Sequence, residues 1–337
     1  MSQNNVTDIS GGTPRVVANE AHPARNDGTA FNPDWVDEIR VNLSATERRV
    51  SSLSGRRTVK KQWQAAWLLK AVTCIDLTTL SGDDTEGRVQ RLCAKARHPI
   101  RPDILDALGV AELNITTGAV CVYHDMVETA VAALRGTNIP VAAVSTGFPA
   151  GLSPFETRLA EIEKSVEAGA QEIDIVITRK HVLQGNWQAL YDEVKAFRQA
   201  CGDAHLKAIL ATGQLGSISK VAKASMVSMM AGADFVKTST GMESVNATLP
   251  VSLVMIRTIR DYFEETGTYV GFKPAGGISS AKLALQYLIL IKEELGDRWL
   301  QPDLFRFGAS SLLGDIERQL EHFMTGRYSA ANRHPMG

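Results

Sequence analysis

The chain has 337 residues, 44% of them hydrophobic and 22% charged, with 36 Lys and Arg against 37 Asp and Glu for a formal net charge of −1. That is ordinary globular material, enough for one large domain or two modest ones. The even charge balance argues against nucleic acid or an anionic membrane surface as a partner, and no apolar run approaches the roughly 18–20 residues of a membrane span.

The opening stretch, MSQNNVTDISGGTPRVVANEAHPARNDGTA, has no hydrophobic segment of the kind a signal peptide carries, so the cytoplasm is the expected compartment. Residues 1–30 lack periodicity and are expected to form a disordered tail. Helical signals follow in NPDWVDEIRVNL and TVKKQWQAAWLLK, defining an N-terminal helical extension over residues 31–68. From Leu69 onward, β-branched apolar runs alternate with amphipathic segments that stop at glycine. The expected strands cover residues 70–78, 114–122, 140–146, 172–177, 205–212, 234–240, 269–276 and 304–310. Eight strand–helix units over residues 69–325 match a (β/α)8 barrel, with residues 326–337 left as a C-terminal tail. A doubly wound sheet is the alternative, but DLTTLSGDDTEG after the first strand carries no GxGxxG.

Cys74, Cys93, Cys121 and Cys201 form no CxxC pair, and the seven histidines form no HExxH. Reduced thiols are therefore expected, and no metal site.

In a barrel of this kind, the chemistry lies at the C-terminal ends of the strands. The polar residues expected there are Asp76, Cys121, Asp174, Lys207, Lys237 and Lys273, together with small-residue loops after strands seven and eight. Lysines and carboxylates without a histidine suit amine chemistry on a carbonyl better than hydrolysis. Lys237 in FVKTS and Lys273 in GFKPAGG lie on neighbouring strands, so their amines can approach each other. Desolvation and a second cation lower a lysine's pKa and leave a free amine able to form a Schiff base. The competing reading for one strand lysine is a snorkelling or ion-paired residue. Asp174 reads as an ion-pair partner or, given a Schiff base, as a proton carrier. Asp76 reads the same way or as a turn residue. Cys121 is a buried inert thiol or a pocket-lining one. The His124–Asp125 pair reads as helix capping. The loops PAGGISS and GASSLLGD present backbone amides and helix starts where barrels often hold phosphate, although each alone is also ordinary turn and cap chemistry.

Taken together, DLTTL, EIDIVI, LKAILATGQL, FVKTSTG, GFKPAGG and FRFGASSLL resemble the deoxyribose-phosphate aldolase family in its longer, animal-type form, from about Lys60 to Tyr328. The resemblance implies a class I aldolase that cleaves 2-deoxy-D-ribose 5-phosphate to D-glyceraldehyde 3-phosphate and acetaldehyde without metal or organic cofactor. It implies that Lys237 forms the Schiff base, that Lys273 tunes it, and that Asp174 relays protons with Asp76 nearby. Gly276, Gly277, Gly308, Ser310 and Ser311 would hold the phosphate, with Cys121 and Thr240 among the substrate-binding residues. A homodimer or higher homo-oligomer is implied as well.

Three positions depart from the family pattern. Met242 follows KTSTG where the family generally has lysine, Ser279 stands two residues after PAGG where it has arginine, and His124 follows CVY where it commonly has proline. The first two remove positive charge from the side expected to face phosphate, which predicts a shift towards less anionic aldehydes. Two other readings compete with this one: a catalytically weak relative that only binds a phosphosugar, and a different Schiff-base aldolase on the same barrel.

Overall fold

The computed structural model describes residues 25–334 together with two short strands, Val6–Thr7 and Val16–Val17, that pair antiparallel. Eight further strands form one parallel sheet whose order follows the chain. They are β1 (Ile75–Thr78), β2 (Ala119–Tyr123), β3 (Val141–Ser145), β4 (Glu172–Val176), β5 (His205–Ile209), β6 (Phe235–Lys237), β7 (Gly271–Lys273) and β8 (Phe307–Ala309). β8 pairs with β1. The remaining gap is closed by backbone hydrogen bonds from Phe272 N to Leu304 O (2.9 Å), Arg306 N to Phe272 O (3.1 Å) and Gly308 N to Pro274 O (2.9 Å). Closure removes the unpaired edge that an open sheet exposes, and with helices between the strands this is a (β/α)8 barrel.

Local signals set the helix limits. Thr85, Asn186, Ser217, Thr248 and Ser280 each accept, through a side-chain oxygen, the backbone N–H three residues on. Gly109, Gly185, Gly267 and Gly326 end helices in the left-handed region, where a Cβ would be strained.

Strand alternation then divides the side chains between two cores. Ile75, Leu77, Val120, Val122, Ile173, Ile175, Leu206 and Val236 belong to the large core between sheet and helices. Cys121, Ala142, Val144, Phe148, Val176 and Ile209 form a smaller apolar cluster inside the barrel. The interior also holds large side chains that need space. A Cβ at Gly271 would fall 2.4 Å from the buried Phe235 ring, and one at Gly308 would fall 2.8 Å from the Ala275 Cβ and 3.3 Å from the Lys273 Cε.

The N-terminal extension forms helices Pro33–Glu38, Leu43–Arg56 and Lys61–Thr73. The second packs on Leu249–Thr266 and Ala281–Leu295, held by Arg49 to Glu294 (2.9 Å) and Glu293 (3.2 Å). The third packs on Ala281–Leu295 and Leu312–Thr325 and leads directly into β1.

Several boundaries differ from expectation. Lys70–Thr73, expected as strand, completes the helix Lys61–Thr73. That helix buries Trp67, Leu68, Leu69, Ala71 and Val72, and an apolar run buried on most sides has no period to separate helix from strand. Asn114 is a left-handed residue ahead of β2, and β6, β7 and β8 have only three residues each. Of the expected disordered tail over 1–30, residues 1–24 lie outside the described residues apart from the short strand pair. Residues 25–30 are packed: Asn26 is buried and donates to Met229 O (2.8 Å) and Ala233 O (2.9 Å). At the other end, His334 is buried 2.6 Å from the Glu321 carboxylate. Among the described residues no helix is long and apolar enough to cross a membrane.

Gly271→Ala should therefore destabilise the fold by about 1–3 kcal/mol through overpacking against Phe235. Chemical denaturation measures this, and an unchanged midpoint would show that the interior has slack at that point.

Candidate active site

Seven ionisable side chains alternate into the barrel interior: Asp76, Glu172, Asp174, Lys207, Lys237, Lys273 and Arg306. All are buried, Lys237 being 3% exposed and Lys207 and Lys273 fully enclosed. Register explains their meeting, because Lys237 pairs directly with Lys273 across β6–β7, and Asp174 with Lys207 across β4–β5.

Asp174 is the hub. Its Oδ2 accepts from Lys237 Nζ (2.7 Å) and Lys273 Nζ (2.8 Å), while its Oδ1 accepts from Lys207 Nζ (2.9 Å). Lys273 also donates to Asp76 Oδ2 (2.5 Å), and Lys207 to Glu172 Oε2 (2.5 Å). Below them Arg306 spans both remaining acids, from Nη1 to Asp76 Oδ1 (2.5 Å) and from Nη2 to Glu172 Oε1 (2.8 Å). Gly118 leaves room for it, since a Cβ there would fall 3.1 Å from Arg306 Cδ and 2.8 Å from Thr73 O.

The protonation pattern follows from partner counts. Burial alone would raise Asp174, but Lys207, Lys237 and Lys273 together hold it well below the usual carboxylate range. Burial alone would lower Lys273, but Asp174 and Asp76 outweigh it and hold the ammonium charged. Lys207 is held up in the same way, by Asp174 and Glu172. Lys237 differs, because its single carboxylate is shared with two other ammonium groups. Burial pulls its amine down and Lys273 adds to that, so Lys237 sits below the ordinary lysine range. The cluster thus holds one amine apart from its neighbours as the one that can be uncharged and nucleophilic.

The structure places Lys237, Lys273, Asp174 and Asp76 in one contact network. Cys121 lies in the interior apolar cluster, its thiol pushed up by burial. Gly276 and Gly277 adopt left-handed φ of 81° and 78° after β7, and Gly277, Ser310 and Ser311 are exposed at the mouth. Two expected phosphate or substrate contacts are already engaged elsewhere. The Gly308 amide is given to Pro274 O, so this glycine acts by leaving space for Lys273. Thr240 donates its amide (3.1 Å) and hydroxyl (2.8 Å) to the Glu243 carboxylate, which also takes the Gly241 amide (3.1 Å). His124 is anchored through Nδ1 to Ser165 Oγ (3.0 Å), away from the charged cluster.

Sequence reasoning assigned no role to Lys207 and overlooked Glu172 and Arg306. A signal existed: Glu172 is two residues before Asp174, and Arg306 two before Gly308, which puts each on an inward face. Ser239, two residues after Lys237, has a buried hydroxyl with no partner among the described residues. Among the described residues no group of His, Cys, Asp and Glu is disposed to hold a metal ion.

A parallel barrel with a buried, partner-poor lysine beside two charged ones can present an amine to a carbonyl compound. Comparison with known proteins narrows this. Residues 70–315 match the model of the DeoC/LacD family aldolases. The chain is 61% identical to the human deoxyribose-phosphate aldolase over 315 residues, covering 93% of this chain and 99% of the human one. It is 62% identical to the mouse deoxyribose-phosphate aldolase over 311 residues, covering 92% and 98%. A solved structure, the tetrameric deoxyribose phosphate aldolase of Aeropyrum pernix, shares the fold with a TM-score of 0.55 at 23% identity, covering 83% of this chain and 99% of that one. The chain belongs to the DeoC/LacD family of aldolases.

The same ion cluster fixes an acid limit. Asp76, Glu172 and Asp174 all have folded-state values below their ordinary ones. Their contribution to stability is present above the unfolded carboxylate range near pH 4 and is lost as pH falls below it, by about 1.4 kcal/mol per unit for each group. Urea midpoints should fall modestly between pH 7 and 5, where the unfolded chain protonates His205 and the folded one resists it, and drop steeply by pH 3; equal midpoints at pH 6 and 3 would contradict this.

Proposed function

We propose that this enzyme reversibly cleaves 2-deoxy-D-ribose 5-phosphate to D-glyceraldehyde 3-phosphate and acetaldehyde through an imine on Lys237. The observation that carries the reading is the sharing of Asp174 Oδ2 between Lys237 and the doubly paired Lys273. The similarity to the human and mouse aldolases supports the choice of substrate.

The uncharged Lys237 amine adds to the aldehyde carbon of the open-chain sugar, and loss of water gives the protonated imine. The C2–C3 bond then breaks: its electron pair moves towards the iminium nitrogen as the C3 hydroxyl loses its proton, releasing glyceraldehyde 3-phosphate and leaving an enamine. A proton added at C2 and hydrolysis of the imine give acetaldehyde and free Lys237. Asp174 bridges the Lys237 and Lys273 nitrogens through one oxygen, which supports a route for protons between substrate and network. The Ser239 hydroxyl is free to bond a substrate hydroxyl.

The Gly276–Gly277 and Ser310–Ser311 loops supply amides and hydroxyls at the mouth for the phosphate. Met242 is 56% exposed and Ser279 is exposed as well, so cations at these positions would be screened by solvent. Their absence is worth about 0–1 kcal/mol each, well under the ~1.5–3 kcal/mol of a buried charge-assisted contact. Glu243 adds a carboxylate on the same side. The expected shift towards less anionic aldehydes is thus a modest change in KM, with the imine chemistry intact.

Incubation with acetaldehyde and borohydride should leave a reduced adduct on Lys237, and Lys237→Leu should lower turnover by roughly 10³-fold or more. Absence of the adduct would favour the phosphosugar-binding alternative. The double variant M242K/S279R should lower KM for the phosphorylated sugar by no more than about thirtyfold while leaving free deoxyribose unaffected. A far larger gain, or an equal gain for both sugars, would contradict the screened-mouth account.

A further inference from the structure

The closed interior holds charged side chains of both signs beneath Lys237. Three carboxylates, Asp76, Glu172 and Asp174, face four bases, Lys207, Lys237, Lys273 and Arg306. Arg306 directly precedes β8, at the N-terminal side of the barrel and against Gly118, on the far side of the cluster from the mouth. It occupies one oxygen of Asp76 and bonds both oxygens of Glu172, at 2.8 and 3.3 Å. Asp76 then has only Oδ2 left for Lys273, and Lys207 completes its set with Glu172 and Asp174. Every base except Lys237 holds two acids at hydrogen-bonding distance.

We infer that Arg306 and Glu172 are positioning residues of opposite sign, which set the protonation of Lys237 from beneath by fixing the charge balance of the enclosed layer. With Arg306 in place the bases outnumber the acids by one, and the surplus falls on the base with the fewest partners. Removing Arg306 leaves three acids and three lysines, so Lys237 keeps its proton to a higher pH. Removing the Glu172 charge widens the surplus and drives the proton off more readily. Other titratable groups facing this layer do not carry compensating charge. The thiols of Cys121, beside Lys237, and Cys74, near Arg306, are pushed up by burial, while the imidazole of His205, near Glu172 and Lys207, is pulled down by burial.

The inference rests on Lys237 being the imine-forming amine, and the experiment separates the two. Borohydride trapping first establishes the adduct on Lys237 in each variant, and the acidic limb of the kcat/KM–pH profile is then measured, because it reports the free enzyme's essential base. Arg306→Gln should move that limb up by on the order of one pH unit, and Glu172→Gln should move it down by a similar amount. Arg306→Lys should restore the wild-type position. A merely structural role would lower the rates of both single variants without moving the limb in opposite directions. Loss of a lone partner leaves a buried charge uncompensated, so the double variant R306Q/E172Q, which keeps the surplus at one, guards against misfolding and should titrate like wild type. Trapping on Lys237 with unmoved limbs, with limbs moved the same way, or with a double variant shifted by a unit or more would overturn the inference. Failure to trap Lys237 in the wild type would instead remove the reading beneath it.

Discussion

One carboxylate organises this protein. Asp174 accepts three lysine ammonium groups inside a barrel from which water is largely excluded. A lone buried charge would be prohibitively costly, and so would any one of the lysines without its acid. The network is tolerable only as a whole, which requires all eight strands in register and the barrel closed. Glycines at 118, 271 and 308 are part of the same constraint, because they leave volume for Arg306, Phe235 and Lys273.

From that constraint the reactivity follows without any special group. Lys207 and Lys273 are each held between two acids, whereas Lys237 has one shared acceptor and is the only one of the three with any exposure. The same burial that favours a free amine at Lys237 would weaken every other lysine were it not for Asp76 and Glu172. Stability and nucleophilicity are therefore coupled: a change that neutralises an acid disturbs both. The mouth is looser. Its loops offer backbone amides and exposed hydroxyls, and the side chains at 242 and 279 stand in solvent, apart from the charged layer.

Much of this was legible in the sequence, for identifiable reasons. Strand–helix alternation and capping residues such as Thr85 and Ser280 mark the barrel. A lysine in the middle of FVKTS or GFKPAGG stands out because a charge interrupts an apolar run. The start of β1 was misjudged because AWLLKAVT is apolar on nearly every side and carries no period. Arg306 and Glu172 escaped because attention went to the C-terminal strand ends, whereas their meaning depends on a contact across the barrel from the approach to β8 to β4. Local pattern places each on the inward face but cannot pair them. Likewise PAGGISS and GASSLLGD mark a small-residue mouth, but the use of the Gly308 amide in barrel closure and the Glu243 hold on Thr240 depend on three-dimensional placement.

The central claim is that the enclosed layer carries one base more than it has acids, and that the surplus is resolved at Lys237. Nuclear magnetic resonance of the lysine side chains in the unmodified enzyme, with isotope-labelled lysine and Lys237 assigned by substitution, reads this directly. The account requires the Lys237 amine to lose its proton below the ordinary lysine range and before Lys207 and Lys273, which remain ammonium ions. A Lys237 that stays fully charged up to pH 9, or a Lys273 that loses its proton first, would contradict it.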